Sequence, residues 1–138
     1  MQSPLANALK VLVAEDDRMT QRLLLATLTQ HPALVAHGFQ VVVAPDGQAA
    51  VMRFEEVHPD LVIVDLFMPR LDGFSVCRAI RESPHGGKVP IIVTSAVWKQ
   101  PEVLEQLRAD FGVVFVEKPI LPDVLARAVQ SVLLGGSP

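Results

Sequence analysis

The sequence predicts an α/β fold in which five parallel strands alternate with five helices. Five short apolar runs rich in β-branched residues recur along the chain, and their nearly continuous hydrophobicity is typical of strands covered on both faces. The segments between these runs are long enough for helices, which gives the alternation expected around a parallel sheet. The predicted strands are residues 11–14, 39–44, 61–64, 91–93 and 113–116.

Each predicted helix has a local start signal. Asp17 can cap the first helix by accepting hydrogen bonds from free backbone N–H groups of the first turn. Asp46-Gly47 is a turn that opens the second helix, and Asp72-Gly73 introduces the third. Two begin at a proline, which is tolerated there because that position needs no backbone donor. Residues 30–38 are long for the first helix-to-strand connection, so a local extension is expected there. The start signals are Asp17, Asp46, Asp72, Pro101 and Pro122, and the predicted stops lie at residues 31–32, 58–59, 83–87 and 111–112.

Length and composition indicate one domain and argue against two classes of partner. The chain has 138 residues, of which 50% are hydrophobic, so it can bury a core. Its net charge is −3 and its basic residues are scattered, which argues against direct nucleic-acid binding. No apolar run approaches the roughly 20 residues that span a bilayer, so no membrane partner is expected. We expect the domain at residues 10–134, an N-terminal extension at 1–9, and a tail or the start of a linker at 135–138.

The single cysteine, Cys77, favours a cytoplasmic location. One thiol cannot form an intramolecular disulfide, and disulfides are rare in reducing compartments. Residues 1–10 lack the basic start and apolar core of a signal peptide. Cys77 itself lies in an apolar run and is predicted to be a small buried residue on a helix.

Polar residues follow the predicted strands where a ligand site is expected. In an open α/β sheet the binding crevice lies beyond the carboxyl ends of the strands. Crowded carboxylates repel each other unless a hard cation lies among them, and Mg²⁺ is the usual oxygen-ligated choice beside phosphate. An aspartate there can attack phosphorus, while an ammonium and a hydroxyl can hold phosphoryl oxygens. The candidates are Glu15, Asp16, Asp17, Asp65, Thr94, Ser95, Glu117 and Lys118.

Each candidate also has a purely structural interpretation. An acidic run after a strand is often only a helix N-terminal turn, and this stays open for Glu15 and Asp16. Asp17 is predicted to be a helix cap rather than a ligand. Asp65 is harder to explain structurally, because burying an unpaired carboxylate is costly. Lys118 before a proline fits a surface lysine, although its position at a strand end favours the site.

The motifs, in their order, resemble the receiver domain of bacterial response regulators over residues 10–134. That resemblance implies a flavodoxin-like, doubly wound parallel sheet of order 2-1-3-4-5, flanked by five helices. A single one of these motifs would be weak, whereas all of them at family-like separations are specific. The matching segments are residues 11–17 (VLVAEDD), 46–50 (DGQAA), 59–69 (PDLVIVDLFMP), 71–73 (LDG), 90–96 (PIIVTSA) and 118–119 (KP).

The resemblance implies a phosphoryl-transfer site that uses Mg²⁺. Asp65 is the expected phosphoacceptor, and it would ligate Mg²⁺ together with Asp16. Glu15 resembles the acidic residue that often contacts the metal through water. The backbone carbonyl of Phe67 would be the third protein contact to the metal. The Phe67 ring is bulky, so we expect it to slow attack of water on the phosphoaspartate.

The resemblance also implies a switch. Thr94 resembles the hydroxyl that moves toward the phosphoryl group, and Lys118 resembles the pairing cation, followed by a cis bond to Pro119. Phe115 occupies the position of the aromatic residue that turns inward on activation. Phosphorylation would then change the surface formed by the fourth helix, the fifth strand and the fifth helix. Trp98 and Lys99 are expected near this surface, although a partly buried loop tryptophan is the alternative.

The expected function is a two-component signalling switch that catalyses only its own phosphorylation and dephosphorylation. A histidine kinase or phosphotransfer protein would donate the phosphoryl group, and a downstream effector protein or domain would respond. Dimerisation on phosphorylation is a further expected form of output. These roles follow from the resemblance and not from composition or spacing.

Two other functions would use similar residues. A haloacid-dehalogenase-type phosphatase also uses aspartate, threonine, lysine and Mg²⁺, but its nucleophile ends the first strand, whereas Asp65 ends the third. A receiver-like adaptor that works without phosphorylation usually lacks an acidic residue or the lysine, and this sequence keeps both. The order of the residues therefore favours the phosphorylated switch.

Overall fold

The computed structural model of the chain describes residues 8–96 and 101–133. Trp98, Lys99 and the tail predicted at residues 135–138 lie outside the described residues, as does most of the extension predicted at residues 1–9.

Five parallel strands form one sheet in the order β2-β1-β3-β4-β5, as expected for a flavodoxin-like sheet. Their positions agree with the five apolar runs, but several ends differ by one or two residues. β3 and β4 extend to Asp65 and Ser95, because ladder hydrogen bonds rather than hydrophobicity define where a strand stops. The strands are β1 Lys10–Ala14, β2 Gln40–Ala44, β3 Leu61–Asp65, β4 Ile91–Ser95 and β5 Val114–Glu117.

Five helices connect and follow these strands, and their caps agree with the sequence signals. The side chains of Asp17, Asp46 and Asp72 each accept a hydrogen bond from a backbone N–H three residues later. The long first connection contains a short 3₁₀ helix, Val35–His37, which is the expected local extension. The helices are α1 Arg18–Gln30, α2 Gly47–Val57, α3 Gly73–Glu82, α4 Pro101–Phe111 and α5 Pro122–Leu133.

The sheet separates two apolar layers, which explains why its strands are apolar on both faces. One layer includes Leu12 and Val62 and packs against side chains of α2, α3 and α4. The other includes Val11 and Leu61 and packs against α1 and α5. Cys77 lies fully buried in the first layer, where burial raises the pKa of its thiol to about 12, so it is a core residue as predicted.

The register of the sheet brings the strand ends to one edge. Asp65 at the end of β3 lies beside Thr94 of β4, and Ser95 lies beside Glu117 of β5. β1 has β2 on one side and β3 on the other, so the strand order reverses next to the acidic segment that follows β1. This reversal opens the crevice that α/β sheets use for ligands.

A glycine lets α3 begin directly against the end of β3. A Cβ atom at Gly73 would lie 2.5 Å from the carbonyl oxygen of Asp65, which is too close for any other residue without movement. The N–H of Gly73 donates to the carbonyl of Leu66 at 2.9 Å. The start of α3 therefore packs directly against the end of β3, where Asp65 lies.

Candidate functional site

Three carboxylates from two strand ends meet at this edge. One oxygen each from Glu15, Asp16 and Asp65 lies within 4.8 Å of the others. Glu15 and Asp65 are 0% and 6% exposed, whereas Asp16 faces solvent. Two buried acids and one exposed acid form an oxygen-lined pocket that is open on one side.

Lys118 bridges the two buried carboxylates. Its Nζ donates to Glu15 Oε1 at 2.9 Å and to Asp65 Oδ2 at 3.0 Å. Burial alone lowers the pKa of the Lys118 ammonium, but its hydrogen bonds to these carboxylates and their negative charges outweigh burial and raise it. Burial raises the pKa of the Glu15 carboxyl, although the Asp17 N–H group and Lys118 favour its charged form. The Lys118 ammonium thus compensates part of the buried negative charge.

Asp17 turns away from this cluster and caps α1, as predicted. Its Oδ2 accepts from the backbone N–H of Thr20 at 2.8 Å and from the Thr20 hydroxyl at 2.7 Å. These bonds to Thr20 lower the pKa of the Asp17 carboxyl. Of the acidic run, only Glu15 and Asp16 remain for the pocket.

Thr94 supplies a buried hydroxyl that the fold does not satisfy. Its side chain is 1% exposed, and its Oγ1 has no hydrogen-bond partner within residues 8–96 and 101–133. Its strand position is directly beside Asp65. A buried hydroxyl without a partner costs free energy, so an acceptor oxygen arriving at this edge would gain a ready donor.

The loop after β3 carries Phe67, whose backbone contacts Asp65. The N–H of Phe67 donates to Asp65 Oδ1 at 3.2 Å, and its side chain is 57% exposed. The carboxylate of Asp65 is therefore held from two sides, by this N–H group and by Lys118. The Lys118–Pro119 peptide bond is cis, as the resemblance implied.

Phe115 of β5 is half-buried and packs against the core layer below α4. The guanidinium carbon of Arg108 on α4 lies 5.5 Å from the centre of its ring, a cation–π contact. The Phe115 ring therefore lies between the core layer and the guanidinium of Arg108.

The sequence did not predict two residues that shape the site. Gln21 of α1 donates from Nε2 to the backbone carbonyl of Glu15 at 2.6 Å, and Gly73 permits the close approach described above. A polar residue on a helix gives no sequence signal of such a contact. The pair Asp72-Gly73 did mark a helix start, but not the proximity of that start to Asp65.

No helix in residues 8–96 and 101–133 is long and apolar enough to cross a membrane.

The chain is similar to known proteins over nearly its whole length. The sequence model described as "Response regulator receiver domain" matches residues 11–130. The chain belongs to this family. It is therefore a receiver domain of two-component signalling, and receiver domains are signalling switches rather than conventional enzymes.

Curated relatives of this receiver domain include proteins about twice its length. A probable transcriptional regulator of Galdieria sulphuraria is 34% identical over 126 residues, which cover 90% of this chain and 45% of that protein. An uncharacterised 14.6 kDa protein of Leptolyngbya boryana is 33% identical over 128 residues, covering 93% of this chain and 92% of that one. The receiver chain spans about half the length of the first curated relatives that it matches.

Solved receiver domains have the same fold. The receiver domain of a sensor histidine kinase from Pseudomonas aeruginosa, with a magnesium ion coordinated in its active-site cleft, has a TM-score of 0.77 and 29% identity, and covers 94% of this chain and 99% of that one. Chemotaxis protein CheY4 of Vibrio cholerae has a TM-score of 0.78 and 26% identity, and covers 91% of this chain and 98% of that one.

The donor set of this receiver fits Mg²⁺. Carboxylate oxygens are the ligands that this hard cation takes, and Mg²⁺ usually keeps several waters beside one or two carboxylates. Here three carboxylates converge, and exposed Asp16 leaves the cluster open to water. Lys118 alone does not neutralise both buried acids, so a divalent cation would relieve the remaining repulsion.

Proposed function

We propose that Asp65 accepts a phosphoryl group from a histidine kinase or phosphotransfer protein in a Mg²⁺-dependent reaction. One observation supports the proposal: a buried carboxylate meets two further acids, a lysine ammonium and the Thr94 hydroxyl at one sheet edge, and that hydroxyl has no partner among the described residues. Each group has a use in phosphoryl transfer.

The proposed reaction uses the chain's own groups. An oxygen of Asp65 forms a bond to phosphorus while the bond from phosphorus to the donor's histidine nitrogen breaks, and that nitrogen leaves with its electron pair. Lys118 and Thr94 then donate to the phosphoryl oxygens. Asp16, Asp65 and the Phe67 carbonyl would ligate Mg²⁺ directly, and Glu15 through water. When bound, Mg²⁺ supplies positive charge that offsets the repulsion between the carboxylate and the phosphoryl oxygens.

The proposed output is a change at the surface formed by α4, β5 and α5. Bonding of Thr94 to the phosphoryl group moves the end of β4 and leaves space that Phe115 can fill. An inward Phe115 ring would leave the guanidinium of Arg108, which contacts it now. The proposal includes an effector protein or domain that reads this surface, or a second copy of the chain in a phosphorylation-dependent dimer.

We also propose the bounds of the receiver domain and its location in the cell. The receiver domain is assigned to residues 10–134, with an extension at 1–9 and a tail or linker at 135–138. Its only proposed catalysis is its own phosphorylation and dephosphorylation. A single cysteine supports a cytoplasmic location.

The test is phosphorylation of the purified chain. With Mg²⁺ and acetyl phosphate, intact mass is expected to show one added phosphoryl group on the wild type and none on Asp65→Ala. Asp110→Ala, which removes an exposed aspartate of α4, is the matched control and is expected to react normally. Equal labelling of Asp65→Ala, or a wild type that neither reacts nor binds beryllofluoride with Mg²⁺, would overturn the proposal.

A further inference from the structure

The acidic segment after β1 is held by a helix residue with no obvious sequence signature. We infer that Gln21 is a positioning residue that orients Asp16 for Mg²⁺ through the backbone. This inference rests on the proposed function, because it concerns the same metal site. Gln21 does not contact the metal in this scheme.

Gln21 holds the peptide unit that joins Glu15 to Asp16. Gln21 Nε2 donates to the carbonyl oxygen of Glu15 at 2.6 Å. That carbonyl and the N–H of Asp16 belong to one rigid, planar peptide unit. Holding the oxygen therefore restrains the peptide plane that leads into Asp16.

The neighbouring peptide units are held by other bonds. The N–H of Glu15 donates to the carbonyl of Ala44 at 3.0 Å, which ties the segment to the end of β2. The N–H of Asp17 donates to Glu15 Oε2 at 3.0 Å. The peptide unit between them joins Glu15 to Asp16, and the Gln21 side chain donates to its carbonyl oxygen.

Asp16 depends on this backbone control more than the other two acids do. Glu15 and Asp65 are buried and bound to Lys118. The Asp16 carboxylate is exposed, and no hydrogen bond to it is found in the described part of the chain. Since no hydrogen bond from the described residues orients this carboxylate, its backbone limits which positions its rotamers can reach.

Groups that orient a metal ligand change metal affinity without touching the metal. Removing such a group typically weakens metal binding by about 10- to 100-fold. A bond that only stabilises α1 would instead change the melting temperature and leave the dissociation constant for Mg²⁺ unaltered. The two roles are therefore separable by measurement.

The test compares two glutamines of the same helix. Gln21→Met removes the donor and keeps the side-chain length, and Gln30→Met is the matched control at the exposed end of α1. Mg²⁺ alone is titrated into the full chain by calorimetry, and melting is measured without Mg²⁺. We expect the Kd of Gln21→Met for Mg²⁺ to rise about tenfold, while Gln30→Met binds as the wild type does.

A second pair guards against poor folding of the methionine variant. Gln21→Asn keeps an amide but is one methylene too short to reach the Glu15 carbonyl, and Gln30→Asn is its control. Gln21→Asn is expected to lose affinity for Mg²⁺ as Gln21→Met does.

The outcomes distinguish this inference from the proposed function. If the wild type binds Mg²⁺ and both Gln21 variants bind within twofold of their controls, Gln21 is only structural and the metal site stands. If the wild type shows no Mg²⁺ binding, the proposed metal site itself is wrong.

Discussion

Two regions of the molecule hold a partly buried cation and satisfy it in different ways. At the candidate site, Lys118 donates to the carboxylates of Glu15 and Asp65. Between α3 and α4, Arg81 donates to three backbone carbonyls. The acceptors of Arg81 are the oxygens of Phe111 at 2.8 Å and of Gly86 and Val89 at 2.7 Å each.

The difference shows which region is complete without a ligand. Arg81 ties the end of α4 to the loop between α3 and β4, and its partners are neutral groups of the fold. Around Lys118 the negative charge exceeds the positive charge, and the hydroxyl of Thr94 lacks a partner in the described residues. Backbone carbonyls of the chain satisfy the hydrogen bonds of Arg81. Around Lys118, the excess negative charge and the Thr94 hydroxyl remain available to a ligand.

The largest expected effect comes from removing the guanidinium group of Arg81. Arg81→Met leaves three carbonyls without this donor, so the free energy of unfolding should fall by about 2–3 kcal/mol. Urea denaturation measures the change. The control is Arg78→Met on the same helix, where Arg78 is exposed and its guanidinium carbon lies 5.2 Å from the centre of the Phe74 ring. An Arg81→Met protein as stable as Arg78→Met would contradict the structural role.

An intermediate effect is expected from removing the unsatisfied hydroxyl. Thr94→Val keeps the shape of the side chain and removes a buried polar group, so the unphosphorylated chain should gain about 1 kcal/mol of stability. The same variant should bind beryllofluoride about tenfold more weakly, since a hydrogen bond to the anion is lost.

Thr27→Val is the matched control for this prediction. Thr27 is also a buried threonine, but its hydroxyl donates to the carbonyl of Leu23 at 2.8 Å. Its replacement should bring no gain in stability and no change in beryllofluoride affinity. A Thr94→Val protein less stable than the wild type would mean that the hydroxyl is already satisfied.

The smallest expected effect concerns access of water to phosphorylated Asp65. Phe67 lies two residues after Asp65 and is 57% exposed. If its ring shields the phosphoaspartate, Phe67→Asn should release phosphate severalfold faster, while Phe67→Leu stays close to the wild type. The decay of phosphorylated protein, followed by intact mass, measures both rates. An unchanged rate in Phe67→Asn would remove the shielding role.

Local signals in the sequence predicted the fold well. The apolar runs marked all five strands, because a strand buried on both faces must be apolar throughout. Aspartates marked three helix starts, because capping needs only a carboxylate next to the first turn. Strand ends were less accurate: β3 and β4 include Asp65 and Ser95, since polar residues continue the ladder beyond the apolar run.

The sequence by itself determined which chemical groups stand at the ends of the strands. Only the tertiary structure decided how those groups are paired. Lys118 reaches Glu15 and Asp65 across 103 and 53 residues of chain, and the Thr94 hydroxyl is left unpartnered among the described residues. The carbonyls that bind Arg81 and the contact of Gln21 with Glu15 depend on backbone positions rather than residue types. Such contacts arise only when the sheet and its helices have packed.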